Sequence, residues 1–215
     1  MPSTFLRRAV AFTATTAAVC ALALSSATAA SAAIVPTPVS DSAPGAAIDL
    51  TPVGSYDTNV FKKSAAEIVQ AYRDRLFVVN AQAGTVTALD NSDPSQPTKL
   101  FDIASDGVAN SVAVRDDGLG VVAFEATDKT APGHLMFFDA NKDDAASAKL
   151  GEVTAGALPD MVTFSKEGAY VGVANEGEPN DKFPVDPDRS GSVVAVASTR
   201  SAPPQTSVTP VGVPA

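Results

Sequence analysis

One unit recurs three times along this chain, and that recurrence restricts the fold more than any other feature. Glu67-Ile68-Val69, Asn110-Ser111-Val112 and Asp160-Met161-Val162 each open a short apolar run. A charged or glycine-containing turn follows: Arg73-Asp74-Arg75, Arg115-Asp116-Asp117-Gly118 and Ser165-Lys166-Glu167-Gly168. Second runs occupy Leu76–Asn80, Leu119–Glu125 and Ala169–Asn175, and third runs open on Gly84, Gly133 and Gly191. Fourth runs stand at Lys99–Ile103 and Lys149–Val153, while the third copy has only a poorly formed one after Ser198. The copies are spaced 43 and then 50 residues apart. Four short β-type runs per copy at that period describe a blade of a β-propeller. The expectation is an all-β fold with about three four-stranded blades, at about 66–104, 109–155 and 160–198, an incomplete propeller.

Two other architectures fit the sequence less well. A parallel βαβ fold needs amphipathic helices between strands. The best helix candidate, Ser64–Tyr72, has scattered Ala and Glu and flows directly into a Val-rich run. A β-sandwich would leave the threefold match of separate landmarks to chance.

Composition agrees with a packed domain, because 45% of residues are hydrophobic and 18% charged. The net charge is −9, and residues 1–33 contribute two arginines and no acid, so the remainder stands at −11. Nucleic acid and anionic membranes would be repelled by that charge. Beyond residue 33 there is no cysteine and one histidine, which excludes zinc clusters, thiol nucleophiles and disulfide scaffolds.

Residues 1–33 read as an export signal. Arg7 and Arg8 form a basic start, Ala9–Leu24 is apolar, and A-x-A sites end at Ala29 and Ala32. The apolar run is too short and Ala-rich for a span of roughly 20 strongly apolar residues. The residues around Arg7-Arg8 fit a twin-arginine signal poorly, and Ala17-Ala18-Val19 is a poor lipobox before Cys20. Cleavage near Ala32–Ala33 would leave a secreted or cell-surface chain with no membrane span. Residues 34–47 read as a linker and 48–198 as the partial propeller. The Ser/Pro-rich 199–215 reads as a truncated or disordered tail. Ile48–Tyr56 looks like an outer strand able to complete a final blade. With so few blades, the chain reads as part of a larger protein, a truncated gene or a fragment that must associate.

Several phrases resemble one known family. Ala65-Ala66-Glu67-Ile68-Val69, Leu76-Phe77-Val78-Val79-Asn80-Ala81-Gln82 and Ala109-Asn110-Ser111-Val112-Ala113-Val114 stand in order. Ala157-Leu158-Pro159-Asp160-Met161 and Val173–Asp181 follow. Together they are similar to the opening of the secreted bacterial propellers called choice-of-anchor I proteins, over roughly residues 48–197. Relatives carry names such as mesenchyme-specific cell surface glycoprotein, alkaline phosphatase or phytase-like esterase. The resemblance implies an exported propeller of the YVTN/WD-repeat-like class with variable C-terminal anchors.

Within a blade, the start of strand one lies beside the end of strand two. That pairs Glu67 with Asn80, Asn110 with Glu125 and Asp160 with Asn175, all carboxylates or amides on one rim. Converging oxygens of this kind suit Ca²⁺, and a bound cation polarises a phosphoryl or lactone oxygen. Asx residues also end strands by bonding nearby backbone, which is the competing structural role. The acidic stretch Asn175–Ser190 lacks EF-hand spacing and reads as a solvated insertion. His134, placed at the start of a third run and away from the rim, reads as structural. No nucleophile elbow, H-E-x-x-H or P-loop is present.

Three functions are therefore carried forward. The first is a surface propeller whose rim binds an extracellular ligand or protein. The second is a metal-dependent hydrolase of phosphoesters or lactones, and the third is a degenerate fragment.

Overall fold

The computed structural model describes residues 43–48, 50–60, 62–63 and 65–177, together with the backbone of 191–195 and 208–211. Residues 1–42, the expected export signal and most of the linker, lie outside the described residues, as does most of the acidic stretch.

Three four-stranded antiparallel meanders follow one another. The first blade is β1 (Ala66–Tyr72), β2 (Arg75–Asn80), β3 (Thr85–Asp90) and β4 (Thr98–Ile103). The second is β5 (Val108–Val114), β6 (Leu119–Glu125), β7 (Pro132–Asp139) and β8 (Lys149–Ala157), with a single helical turn, α1 (Ala145–Ala148), before its last strand. The third is β9 (Pro159–Phe164), β10 (Tyr170–Asn175), β11 (Gly191–Ala195) and β12 (Val208–Val211).

Alternation along the middle blade explains why the sheets stack. Successive side chains of a strand point to opposite faces. In β6 and β7, Val122, Phe124, Met136 and Phe138 join Phe77, Val79, Val86 and Ala88 of the first blade in one core. Their neighbours Val121, Ala123, Leu135 and Phe137 join Val162, Val171 and Val173 of the third blade in a second core. A strand buried on both faces reads as a continuous apolar run, and every residue of β6 is buried. The first blade shows the contrast. Val112 and Val162 are 4% and 1% exposed, whereas Val69 at the equivalent position is 59% exposed.

One expectation is corrected. The stretch 199–215 is not wholly a tail, because Val208–Val211 pairs antiparallel with β11 as the fourth strand of the third blade. Pro210 lies in that strand, opposite Ser192, and a sheet-edge strand tolerates proline because one side of its ladder is unused. Ile48–Tyr56 forms no strand among its described residues. Instead Val53, Ser55 and Tyr56 line an apolar groove with Leu76, Val78 and Leu89 of the first blade.

Polar bolts fasten the turns of neighbouring blades. Tyr72 Oη and Arg73 Nη1 both donate to Asn141 Oδ1 at 3.2 Å, and Arg75 pairs with Asp143. Arg115 Nη1 donates to the Gly168 carbonyl at 2.5 Å, its Nη2 meets Asp117 at 2.9 Å, and its guanidinium lies 5.7 Å from the Phe164 ring centroid. Arg115→Ala is expected to lower stability by about 1–2 kcal/mol, since a charge-assisted bond, ring contact and packed stem go together. Urea denaturation measures this, and an unchanged midpoint would show that the bolt contributes nothing.

Candidate functional site at the blade rim

The same irregularity marks the rim end of all three blades. In the first, Ala66 pairs with Asn80 and Val69 with Val78, so Glu67 and Ile68 together oppose one residue. In the second, Ala109 pairs with Phe124 and Ser111 with Ala123, which leaves Asn110 as the extra residue. In the third, Pro159 pairs with Asn175 and Met161 with Ala174, leaving Asp160 extra. Each is a β-bulge, which re-aims a side chain and tightens the local twist. The polar residue of the sequence landmark occupies the bulge every time.

Of the six rim residues expected from sequence, Asn110 and Glu125 are joined by a side-chain hydrogen bond. Asn110 Nδ2 donates to Glu125 Oε2 at 3.2 Å and to the Pro159 carbonyl of the next blade at 3.3 Å. Glu125 is buried, with Lys129 Nζ 3.8 Å from its Oε1. Asn80 Oδ1 accepts from the Ala83 amide at 3.2 Å, capping the turn after β2. Asn175 is buried against Gly156, where any Cβ would stand 2.5 Å from its Nδ2. Glu67 is exposed and Asp160 half-buried.

The Asn110 amide donates to both the Glu125 carboxylate and the Pro159 carbonyl and so ties the second blade to the third at this rim. Among the described residues, no group of three or more His, Cys, Asp and Glu could hold a metal ion.

Glycines that open the third strands are the points where the next blade docks. Gly84 accepts from the Ala109 amide at 3.1 Å. A Cβ on Gly133 would lie 2.4 Å from the Phe124 carbonyl and 2.6 Å from Pro159 Cδ. Their recurrence in the sequence therefore reports blade-to-blade contact rather than chemistry.

A second polar cluster was not anticipated. His134 is not away from the rim: β7 runs antiparallel to β6, so its first residues lie beside the last residues of β6. His134 pairs with Phe124, next to Glu125, and stacks on the Phe124 ring at 5.3 Å and 6°. Its Nε2 is 3.0 Å from Ser105 Oγ. Ser105 Oγ donates to Glu152 Oε1 at 2.7 Å, and Lys149 Nζ reaches the same oxygen at 2.8 Å. No sequence spacing signals this group, because β-sheet register and the crossover between blades assemble it.

The cluster is not a nucleophile triad. A hydroxyl has one proton, and Ser105 gives it to Glu152, so His134 Nε2 must be the donor to Ser105. Nucleophile activation needs the reverse, with the carboxylate on the other imidazole nitrogen. Here Glu152 Oε1 lies 3.9 Å from the same Nε2. Burial pushes the His134 imidazole below its ordinary value, against the pull of Glu152 and Asp106. Hydrogen bonds from Lys149 and Ser105 hold the Glu152 carboxyl below the usual carboxylate range.

Stacked four-stranded antiparallel meanders with bulged inner strands define a β-propeller. Residues 67–214 match the family described as the Choice-of-anchor I domain. This chain belongs to that family.

The chain is also similar in fold to a Bacteroides fragilis protein with a provisional 6-phosphogluconolactonase designation. The two superpose with a TM-score of 0.50 at 14% identity, over 69% of this chain and 38% of that one. A structural-genomics protein from Lactobacillus plantarum gives a TM-score of 0.45 at 15% identity, over 65% of this chain and 38% of that one. The chain thus spans well under half the length of these solved proteins. No curated protein matches it.

Proposed function

We propose that this protein is an exported or cell-surface binding module that takes a polar, hydroxyl-rich ligand at the rim bearing Glu67, Asn110 and Asp160. One observation carries the reading: the same bulge presents a carboxylate or amide at the same end of all three blades. Carboxylates and amides supply acceptors and donors suited to hydroxyls, and the −9 net charge disfavours polyanionic partners. Export is supported by family membership and by the composition of residues 1–33. Hydrolysis of a lactone or phosphoester gains nothing from the Ser105 cluster, whose proton arrangement opposes nucleophile activation.

The test is thermal denaturation against soluble neutral polysaccharides, with calcium chloride and chelator as separate arms. A saturating ligand at about 100 times its dissociation constant adds about 2.7 kcal/mol, or roughly 5–10 °C in melting temperature for a domain of this size. The double variant Glu67→Gln, Asp160→Asn should lose that shift while melting within about 1 °C of wild type without ligand. Wild type indifferent to every polysaccharide would sink the glycan reading. A calcium-only shift lost in the double variant would replace it with a metal-dependent one.

A further inference from the structure

We propose that Ser105, His134, Glu152 and Lys149 form an acid-sensitive latch that holds the crossover between the first and second blades in place and releases it as pH falls. The inference concerns the latch itself and stands whether or not the rim binds polysaccharide. The crossover, residues 104–107, leaves β4 and enters β5, and its two ends are fastened differently. Ser105 is tied to Glu152 at 2.7 Å and to His134 at 3.0 Å. Gly107, at φ +101, lies so close to the end of β6 that a Cβ there would stand 1.9 Å from the Glu125 carbonyl oxygen. The Glu125 side chain in turn accepts from Asn110. The latch therefore lies one short loop away from the rim pair, and Ser105 is its only residue from the crossover with a side-chain bond to the second blade among the described residues.

Charge and packing determine the direction of the response. Every charged group that acts on His134 belongs to the crossover or to β8: Asp106 and Glu152 favour the imidazolium, while Lys149 opposes it. From β6 the Phe124 ring stacks on it and offers a proton no solvation. Burial outweighs the two carboxylates, so the closed latch resists protonation. In an opened crossover the imidazole would hydrate and titrate at its ordinary value near 6.5. A group whose pKa is lower when closed than when open favours closure above the open-state value, and that preference is lost as pH falls through the closed-state value. Glu152 acts in the same sense at lower pH through Ser105, whose hydrogen bond to its carboxylate is made only while the latch is closed, whereas Lys149 shares β8 with Glu152 and stays beside it. Both titrations accordingly favour opening in acid, first through His134 and then through Glu152.

The chain has one histidine, so its imidazole proton resonances are assigned without ambiguity. NMR titration of the full chain should give a His134 midpoint below that of a histidine model peptide, and a midpoint at or above it overturns the proposal. Amide hydrogen exchange over residues 104–110, corrected for intrinsic rates, should accelerate about threefold or more between neutral pH and about pH 5. Exchange over β6 should not change. In His134→Gln, whose side-chain amide still donates to Ser105 but does not titrate, the acceleration should disappear in that interval. Equal exchange at both pH values in wild type, or an undiminished response in the variant, overturns the latch. The titration midpoint needs no variant, so the proposal stays testable if His134→Gln fails to fold.

Discussion

Replacing Phe138 by alanine is expected to cost about 3–5 kcal/mol, a large share of the 5–15 kcal/mol that a domain has in total. Phe138 is fully buried on β7 and meets Phe77 of the first blade with ring centroids 5.1 Å apart, tilted by 50°. Its ring also occupies the space above Gly120 of β6, where a Cβ would stand 2.1 Å from Phe138 Cζ. The glycine and the aromatic ring are thus two halves of one packing solution. Truncating the ring leaves a cavity walled partly by strand backbone, which cannot collapse to fill it. Gly120→Ala alone should also destabilise, because the ring must move. The pair Gly120→Ala, Phe138→Ala should cost less than the sum of the single changes, since the new methyl enters space that the ring has left. Val69→Ala, on the exposed face of the first blade, should change stability by less than about 0.5 kcal/mol. Urea denaturation followed by circular dichroism measures all four. A cost below about 1 kcal/mol for Phe138→Ala would mean that the first two blades do not share a core.

Gly107→Ala carries the second largest expected effect, about 3 kcal/mol or more. Two penalties act at one residue. The backbone at φ +101 lies where an L side chain is strained, and the added methyl would overlap the Glu125 carbonyl oxygen at 1.9 Å. That oxygen belongs to a central strand and has little room to move. Gly84 provides the control: its φ is +68, but the nearest atom to a built Cβ is 3.5 Å away. Gly84→Ala should therefore cost only the left-handed backbone term, about 1–2 kcal/mol. Thermal denaturation distinguishes the two, and equal losses would mean that strain alone governs both sites. Because Glu125 also carries the bond from Asn110, Gly107→Ala should weaken binding at the rim beyond its effect on stability.

Much of this protein was legible in its residues because a repeat reports the same physics three times. Landmark glycines recur where one blade meets the next: Gly133 leaves no room for a Cβ beside Pro159, and Gly84, at φ +68, accepts from the Ala109 amide. Polar landmarks recur where each inner strand bulges, at Glu67, Asn110 and Asp160. These are local requirements, and every copy of the unit must meet them. The alternation in β6 and β7 likewise assigns each side chain to one of two cores by a period of two alone.

What stayed hidden depends on neighbours that a linear reading does not contain. The Ser/Pro-rich end read as a tail, yet Val208–Val211 is an edge strand, and only its place in the sheet makes Pro210 tolerable. His134 looked solitary because Ser105 and Glu152 lie 29 and 18 residues away in the chain, and only antiparallel register and the crossover bring them together. Asn110 and Glu125 looked like two cation ligands. The tertiary structure joins them by one hydrogen bond and gives the Asn110 amide a further acceptor, the Pro159 carbonyl of the next blade, which no spacing within one unit contains. Periodicity and steric need, which act within each unit, determined the blades from sequence alone. The pairing of polar groups depends on which units stack and in which register, and only the folded chain decided that.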